Sequence, residues 1–146
     1  PSQRESAIGA LFAVLGQLSL GTSGTTVKRN AALPERVADH AMAILRDGEM
    51  GEPEVSLSPL TYHWQHQVAV ELFVADADAA ARDARMDGLL SELDTLIEVD
   101  RTLVGVIEYA EIGVPKFDEL ASDGSSGIKA CLLPVVLHYS SAGPLN

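Results

Sequence analysis

The stretch from residue 60 to residue 74, LTYHWQHQVAVELFV, constrains the fold more than any other part of the chain. Its even-numbered positions are mostly apolar or aromatic and its odd-numbered positions mostly polar, and the alternation persists over fifteen residues. Successive side chains of a β-strand point to opposite faces of the sheet. The pattern therefore predicts one unusually long strand, with a mostly apolar face and a mostly polar face.

Two amphipathic helices are predicted, near residues 4–18 and within residues 75–100. The first begins with charged and then apolar residues, as a secretion signal does, but Glu5, Gln17 and the 3–4 spacing favour a mature helix with Gly21 as its stop. The second can be capped by Asp76 or Asp78. Its apolar stripe consists of Met86, Leu89, Leu90, Leu93, Leu96 and Ile97.

Shorter patterns complete the sheet. We expect strands around Thr26–Arg29, Met42–Arg46, a short segment within residues 50–60, Leu103–Ile112 and Ile128–Ser140. Asp47-Gly48 reads as a turn, and residues 113–127, GVPKFDELASDGSSG, as an exposed loop. Residues 1–146 are thus predicted to form a single α+β domain: one mixed, mostly antiparallel sheet backed on one face by two helices. The other face would be partly bare and would need a partner.

Composition narrows the class of protein. The chain is 47% hydrophobic and 21% charged, as expected for a folded domain, and carries a net charge of −11. That charge argues against wrapping of nucleic acid, which needs clustered Lys and Arg. The single cysteine, Cys131, lies among apolar residues and predicts a buried thiol in a reducing compartment. The longest apolar run, CLLPVVL, is too short to span a membrane.

No arrangement of residues predicts catalysis or metal binding. His63 and His66 form an H-x-x-H pair, but residues three apart on a strand face opposite ways and cannot share one ion. DADAAARDARMD departs from a calcium loop at its fifth, sixth and twelfth positions. GTSGTT lacks the lysine of a phosphate loop, and no G-x-S-x-G is present. We therefore expect no catalytic residue, metal or cofactor.

Four phrases in order resemble one protein family. KRNAALPERV, AILRDGEMGEPEVSLSPLTYHWQHQVAVELFV, DRTLVGVIEYAE and GIKACLLPVVLHY resemble the tail terminator proteins of long-tailed phages. The closer likeness is to those of gene transfer agents and related prophages of alphaproteobacteria. It extends over roughly residues 7–142.

The resemblance implies a structural virion protein, assembled in the bacterial host cytoplasm and located at the head-proximal end of the tail. Such proteins form a homo-hexameric ring on the tail tube, end its polymerisation and join the tail to the head-tail connector or stopper protein. DNA passes through the lumen without specific binding. The lambda-type members are α/β folds with a mixed sheet backed by helices, in agreement with the predicted order of elements.

Candidate partner-binding residues are assigned from the segments that resemble the family. The loops RNAALPER and RDGEMGEPE are expected to make axial contacts, and residues 116–126 are a further candidate. Tyr62, Trp64 and His66 are expected on the bare face, at a subunit interface, so that Trp64→Ala would lower ring formation more than it unfolds the monomer. The polar contributors expected in the loops are Arg29, Arg36, Asp47, Glu49, Glu52, Glu54 and Lys116.

Two other classes stay open at this point. One is a neighbouring virion component, either the stopper or a tail tube subunit. Of these two, the tail tube subunit would polymerise without end. The other is a small acyl-transfer or thioester enzyme, which would need a pocket holding a His or Asp with a shifted pKa.

Overall fold

Two long strands form the centre of the sheet. In this computed structural model, which describes residues 1–20, 27–34, 37, 41–120 and 127–146, β4 (Thr61–Asp76) and β7 (Gly127–Ser141) pair antiparallel from Tyr62↔Ser141 to Asp76↔Gly127. The predicted long strand is confirmed. Alternation along it is also confirmed: even-numbered residues from Trp64 to Val74 are buried, while His63, Gln65 and Gln67 are exposed.

The remaining elements surround this pair. In chain order they are α1 (Gln3–Leu15), β1 (Val27–Arg29), β2 (Ala41–Glu49), β3 (Glu54–Ser56), α2 (Ala79–Val99), β5 (Tyr109–Ile112) and β6 (Lys116–Leu120). Among the described residues the sheet has the order β1-β2-β4-β7-β5, with β3 paired to β4 and β6 paired to β7. The β1–β2 pair is parallel and every other pair is antiparallel. The predicted α+β class is confirmed.

Both helices begin at side-chain caps. Ser2 Oγ accepts from the backbone N–H of Glu5 at 3.1 Å, and the carboxylate of Asp78 accepts from that of Ala81 at 3.2 Å. Asp78 is therefore the cap of α2, one of the two candidates. The α2 residues that reach full burial are Met86, Leu89, Leu93 and Ile97, while Leu90 and Leu96 are half-buried at the edge of the stripe.

The main core lies between the helices and one face of the sheet. Ile8, Leu11 and Leu15 of α1 and the buried residues of α2 pack with Val70 and Leu72 of β4 and with odd-numbered residues of β7. A smaller cluster lies on the opposite face and is covered by Ala31 and Val37; its members are Met42, Ile44, Phe73, Ala75 and Ile128. Within the described part of the chain the second face is therefore partly bare, as predicted, and open mainly beyond this cluster.

The predicted turn at Asp47-Gly48 is wrong. β2 continues to Glu49, and the register with β4 shifts between Arg46 and Glu49, which is a β-bulge. Gly48 adopts φ +63°, and a Cβ there would lie 1.8 Å from the carbonyl oxygen of Gln67. Only glycine fits this approach, so the Asp-Gly pair serves a bulge instead of a turn.

The predicted strand at Leu103–Ile112 is wrong in its first half. Only Tyr109–Ile112 pairs with β7, whereas Leu103, Val104 and Gly105 have positive φ values and form turns. Leu103 and Ile107 are nevertheless buried, which explains the strand-like apolar pattern.

The predicted loop from Lys116 to Ser126 also needs correction. Lys116–Leu120 forms β6, which pairs with Leu132–Ile128 of β7. Residues 121–126 lie outside the described part of the chain, as does GTSGTT.

Candidate interaction surface

The open face of the sheet gathers polar and aromatic side chains from distant parts of the sequence. Register pairs place His63 beside Ser140 and Gln65 beside His138, and β5 adds Tyr109 on the far side of His138. These side chains share a face because they occupy matched positions on neighbouring antiparallel strands. Both described helices pack on the opposite face of the sheet, so neither of them covers these polar groups.

A cleft of about 730 Å³ is formed by this face and the segment from Met50 to Ser56. That volume is within the range of ligand and peptide sites in proteins. Glu52, Glu54 and Glu108 line it, together with His63 and Tyr109, and no Lys or Arg is among the described residues of its lining. The cleft therefore has a negative electrostatic character.

His63 is the centre of a hydrogen-bonded chain at the cleft. Ser140 Oγ donates to Oε1 of Glu108 at 2.5 Å and lies 3.2 Å from His63 Nδ1, while His63 Nε2 lies 2.9 Å from Ser56 Oγ. Because the Ser140 proton is directed to Glu108, Ser140 accepts from Nδ1–H. Nε2 then accepts from the Ser56 hydroxyl.

These hydrogen-bonded side chains have the order of groups found in nucleophilic acyl transfer, with Ser56 as nucleophile and His63 as base. Both side chains are exposed, however, and β3 is exposed along its whole length. Transition-state stabilisation by fixed dipoles depends on excluding water. The geometry is thus better suited to fixing side chains for contact with a partner.

His138 is fixed in a similar way. Its Nε2 lies 2.9 Å from Oε1 of Glu111, and its ring stacks on Tyr109 with centroids 4.0 Å apart and planes 11° apart. The pair gives the open face a rigid aromatic surface, which is typical of protein interfaces.

Beneath the cleft, His66 is 1% exposed and links two strands. Nε2 lies 2.6 Å from the backbone carbonyl of Asp47, and Nδ1 lies 2.7 Å from the Tyr139 hydroxyl. A carbonyl only accepts, so Nε2–H donates to it and the Tyr139 hydroxyl donates to Nδ1. Burial lowers the pKa of His66 and raises the pKa of Tyr139 to about 12. The imidazole is therefore neutral and holds the bulge that leads to Met50.

Arg29 connects α1 to the same bulge. Its guanidinium binds both carboxylate oxygens of Glu5, at 2.7 and 2.9 Å, and both of Asp47, at 2.7 and 2.8 Å. These bonds raise the pKa of Arg29 and lower the pKa of both carboxyl groups. Two of the predicted partner-binding residues, Arg29 and Asp47, are thus bound to each other.

The predicted position of the aromatic group on the bare face is wrong. Trp64 is 6% exposed and His66 1% exposed, and both are on the β4 face that contributes Trp64, Val68 and Val70 to the main core. Trp64 Nε1 donates to Ser141 Oγ at 2.8 Å. Tyr62 is half-buried on the same face and stacks on Trp64 with centroids 6.4 Å apart.

The other predicted residues are divided among three places. Glu52 and Glu54 line the cleft, and Glu49 is exposed at the end of β2. Lys116 lies on β6, near the other end of the sheet, opposite Leu132. Arg36 lies outside the described residues. The structure therefore does not bring the predicted set together as one site.

Sequence reasoning missed Glu108, Tyr109, His138 and Ser140 as members of one surface. Their proximity to His63 depends on the β4–β7 and β5–β7 registers. The prediction that His63 and His66 face opposite ways is confirmed, since one is exposed and the other buried. Within the described ranges, no group of three or more His, Cys, Asp or Glu side chains is arranged to hold a metal ion.

No protein-family model matches the chain, and no curated protein matches it. Neither of the two described helices has both the length and the apolar character that crossing a membrane requires.

Proposed function

We propose that this chain is a structural virion subunit that forms a hexameric ring at the head-proximal end of a tail tube. The ring would end tube polymerisation and join the tail to the head connector, with DNA passing through its lumen. The sequence resemblance suggests this role. The observation that carries it in the structure is the one-sided sheet, whose helices cover one face while the other exposes Gln65, Gln67 and Leu132.

A one-sided sheet suits a ring subunit because a ring needs heterologous contacts, in which one surface meets a different surface of the next copy. Size is also compatible. A globule of this length has a radius of gyration of about 15 Å, so an equivalent sphere is about 38 Å across. Six touching spheres enclose a hole of the same diameter, which is wide enough for a DNA duplex. The net charge of −11 would limit adhesion of phosphate to the channel.

Electron microscopy of the protein mixed with purified tail tubes tests the proposal. We expect a six-fold cap at one end of each tube and no further elongation when tube subunits are added. Tubes that remain uncapped and continue to grow would reject it. Endless polymerisation of the purified chain would instead identify a tube subunit, and binding only to pre-capped tubes would identify the stopper.

A small acyl-transfer enzyme is the second candidate, because Ser56 Oγ lies 2.9 Å from His63 Nε2. The exposure of both residues favours the structural role.

A further inference from the structure

The β3–β4 hairpin exposes an unusual number of apolar side chains. Val55, Leu57 and Leu60 are 52%, 77% and 49% exposed within six consecutive positions. Single exposed apolar residues are normal in monomeric proteins, but a cluster at a projecting turn marks a contact site. Glu52 and Glu54 lie just before it, both exposed and without an ion pair to any described residue.

A groove of about 310 Å³ lies on the open side near β6. Leu33, Phe117 and Leu132 line it and are 62%, 52% and 42% exposed. Its polar lining consists of Lys116, Asp118 and Glu71, and Glu71 is already bound to Arg46 at 2.5 Å. The ammonium of Lys116 has no ion pair within the described chain. Asp118 is exposed and likewise has no ion pair within the described chain, so the groove offers apolar surface beside one free cation and one free anion. The hairpin carries carboxylates and no Lys or Arg from Glu52 to Leu60, so Lys116 is the charge it can pair with.

The hairpin cannot reach the groove of its own chain. Leu60 precedes β4, whereas the groove lies beside Glu71, and eleven extended residues span about 36 Å. Between these points β4 is one continuous strand paired with β7, so it does not fold back on itself. Any contact between the two surfaces must join different copies.

We propose that the hairpin of one copy inserts Leu57 and Leu60 into the groove of the next, placing Glu52 and Glu54 beside Lys116. This assignment rests on the proposed ring function and names the two surfaces that build the ring. A second copy fits because one chain carries an apolar projection flanked by anions and, elsewhere, an apolar depression with a free cation. In a ring each copy gives its hairpin to one neighbour and its groove to the other, so the contact is heterologous, unlike a reciprocal exchange within a two-fold dimer.

Charge exchange tests the contact. In sedimentation and electron microscopy, alone and with tail tubes, we expect Glu54→Lys and Lys116→Glu each to raise the dissociation constant at least tenfold. The double variant restores an opposite-charge pair and should return to within threefold of the wild type. Asp94→Lys, an exposed carboxylate on α2, is the matched control and should associate like the wild type.

The apolar part is tested separately by Leu57→Ser, with Val99→Ser, at an exposed position on α2, as its control. Circular dichroism and urea denaturation establish that each variant is folded. Loss of rings and caps with Leu57→Ser alone supports the contact. A double charge variant no better than either single one, or normal association of Leu57→Ser, would overturn it. If these variants still cap tubes, this contact is wrong while the ring function stands; a wild-type chain that forms neither rings nor caps overturns both.

Discussion

At the scale of single residues, His66 connects the stability of the fold to pH. Its folded-state pKa is lowered from 6.5, mainly by burial and to a smaller extent by Arg4, while the Asp47 carbonyl and carboxylate oppose the shift. The unfolded chain therefore binds a proton more readily than the folded chain below pH 6.5. The His66 contribution to stability is fully present above that pH and is lost as the pH falls through and below it.

We accordingly predict that the free energy of unfolding, measured by urea denaturation, decreases from pH 7 to pH 5. His66→Gln should be less stable at pH 7 but show a smaller decrease. Gln65→Ala, which changes an exposed and non-titratable side chain of the same strand, should retain the wild-type dependence. Equal pH dependence of the wild type and His66→Gln would contradict the assignment.

Gly48 is the second residue whose substitution is expected to change the free energy of unfolding. Gly48→Ala combines an unfavourable positive φ with a Cβ 1.8 Å from a backbone oxygen, so we expect a loss above about 2 kcal/mol. Gly51 provides a matched control, because its φ is +71° and nothing lies within 4 Å of its Cβ. Gly51→Ala should lose only about 1 kcal/mol. Similar losses in urea denaturation would exclude the close approach as the cause.

At the scale of elements, the first third of β4 contributes to the core of the monomer. Trp64→Ala should cost about 3–5 kcal/mol in the free energy of unfolding, because a buried indole is removed. The adjacent Gln65 is exposed on the other face, and Gln65→Ala should change stability by less than about 0.5 kcal/mol. If Trp64→Ala has the stability of the wild type but forms no rings, Trp64 is an interface residue and not a core residue.

The same strand shows what sequence periodicity can establish. Alternation in β4 and the 3–4 spacing in α2 predicted both elements because burial is one-sided in each. The alternation did not identify which β4 face the helices cover. Aromatic residues suggested a partner surface, but the apolar residues Val68, Val70 and Leu72 share the Trp64 face and therefore bring it into the core.

β6 was missed for a different reason. Its residues Lys116 to Glu119 are exposed at the edge of the sheet, so burial imposes little pattern on them. The flanking Pro115 also favours a loop reading. Pairing with β7 defines the strand, and pairing is not visible in one sequence.

At the scale of the whole molecule, the candidate surface could be predicted only in part. Glu52 and Glu54 were identified from their segment, but Glu108 and Ser140 join them through strand registers that composition does not encode. The exposed hairpin and the groove are likewise products of tertiary structure. A sequence indicates which side chains can make contacts, whereas the sheet order determines which of them act together.

The β4–β7 pairing also has a kinetic consequence. Its partners nearest in sequence, Asp76 and Gly127, are 51 positions apart, so the central pair of the sheet is made entirely of non-local contacts. Closing such long loops costs entropy before any contact is gained, and proteins dominated by non-local pairing fold slowly. β7 contributes to both the cleft and the groove and follows every other described strand. Neither surface exists until this slow step is complete, so the rate of folding sets the earliest time at which a newly made subunit can assemble.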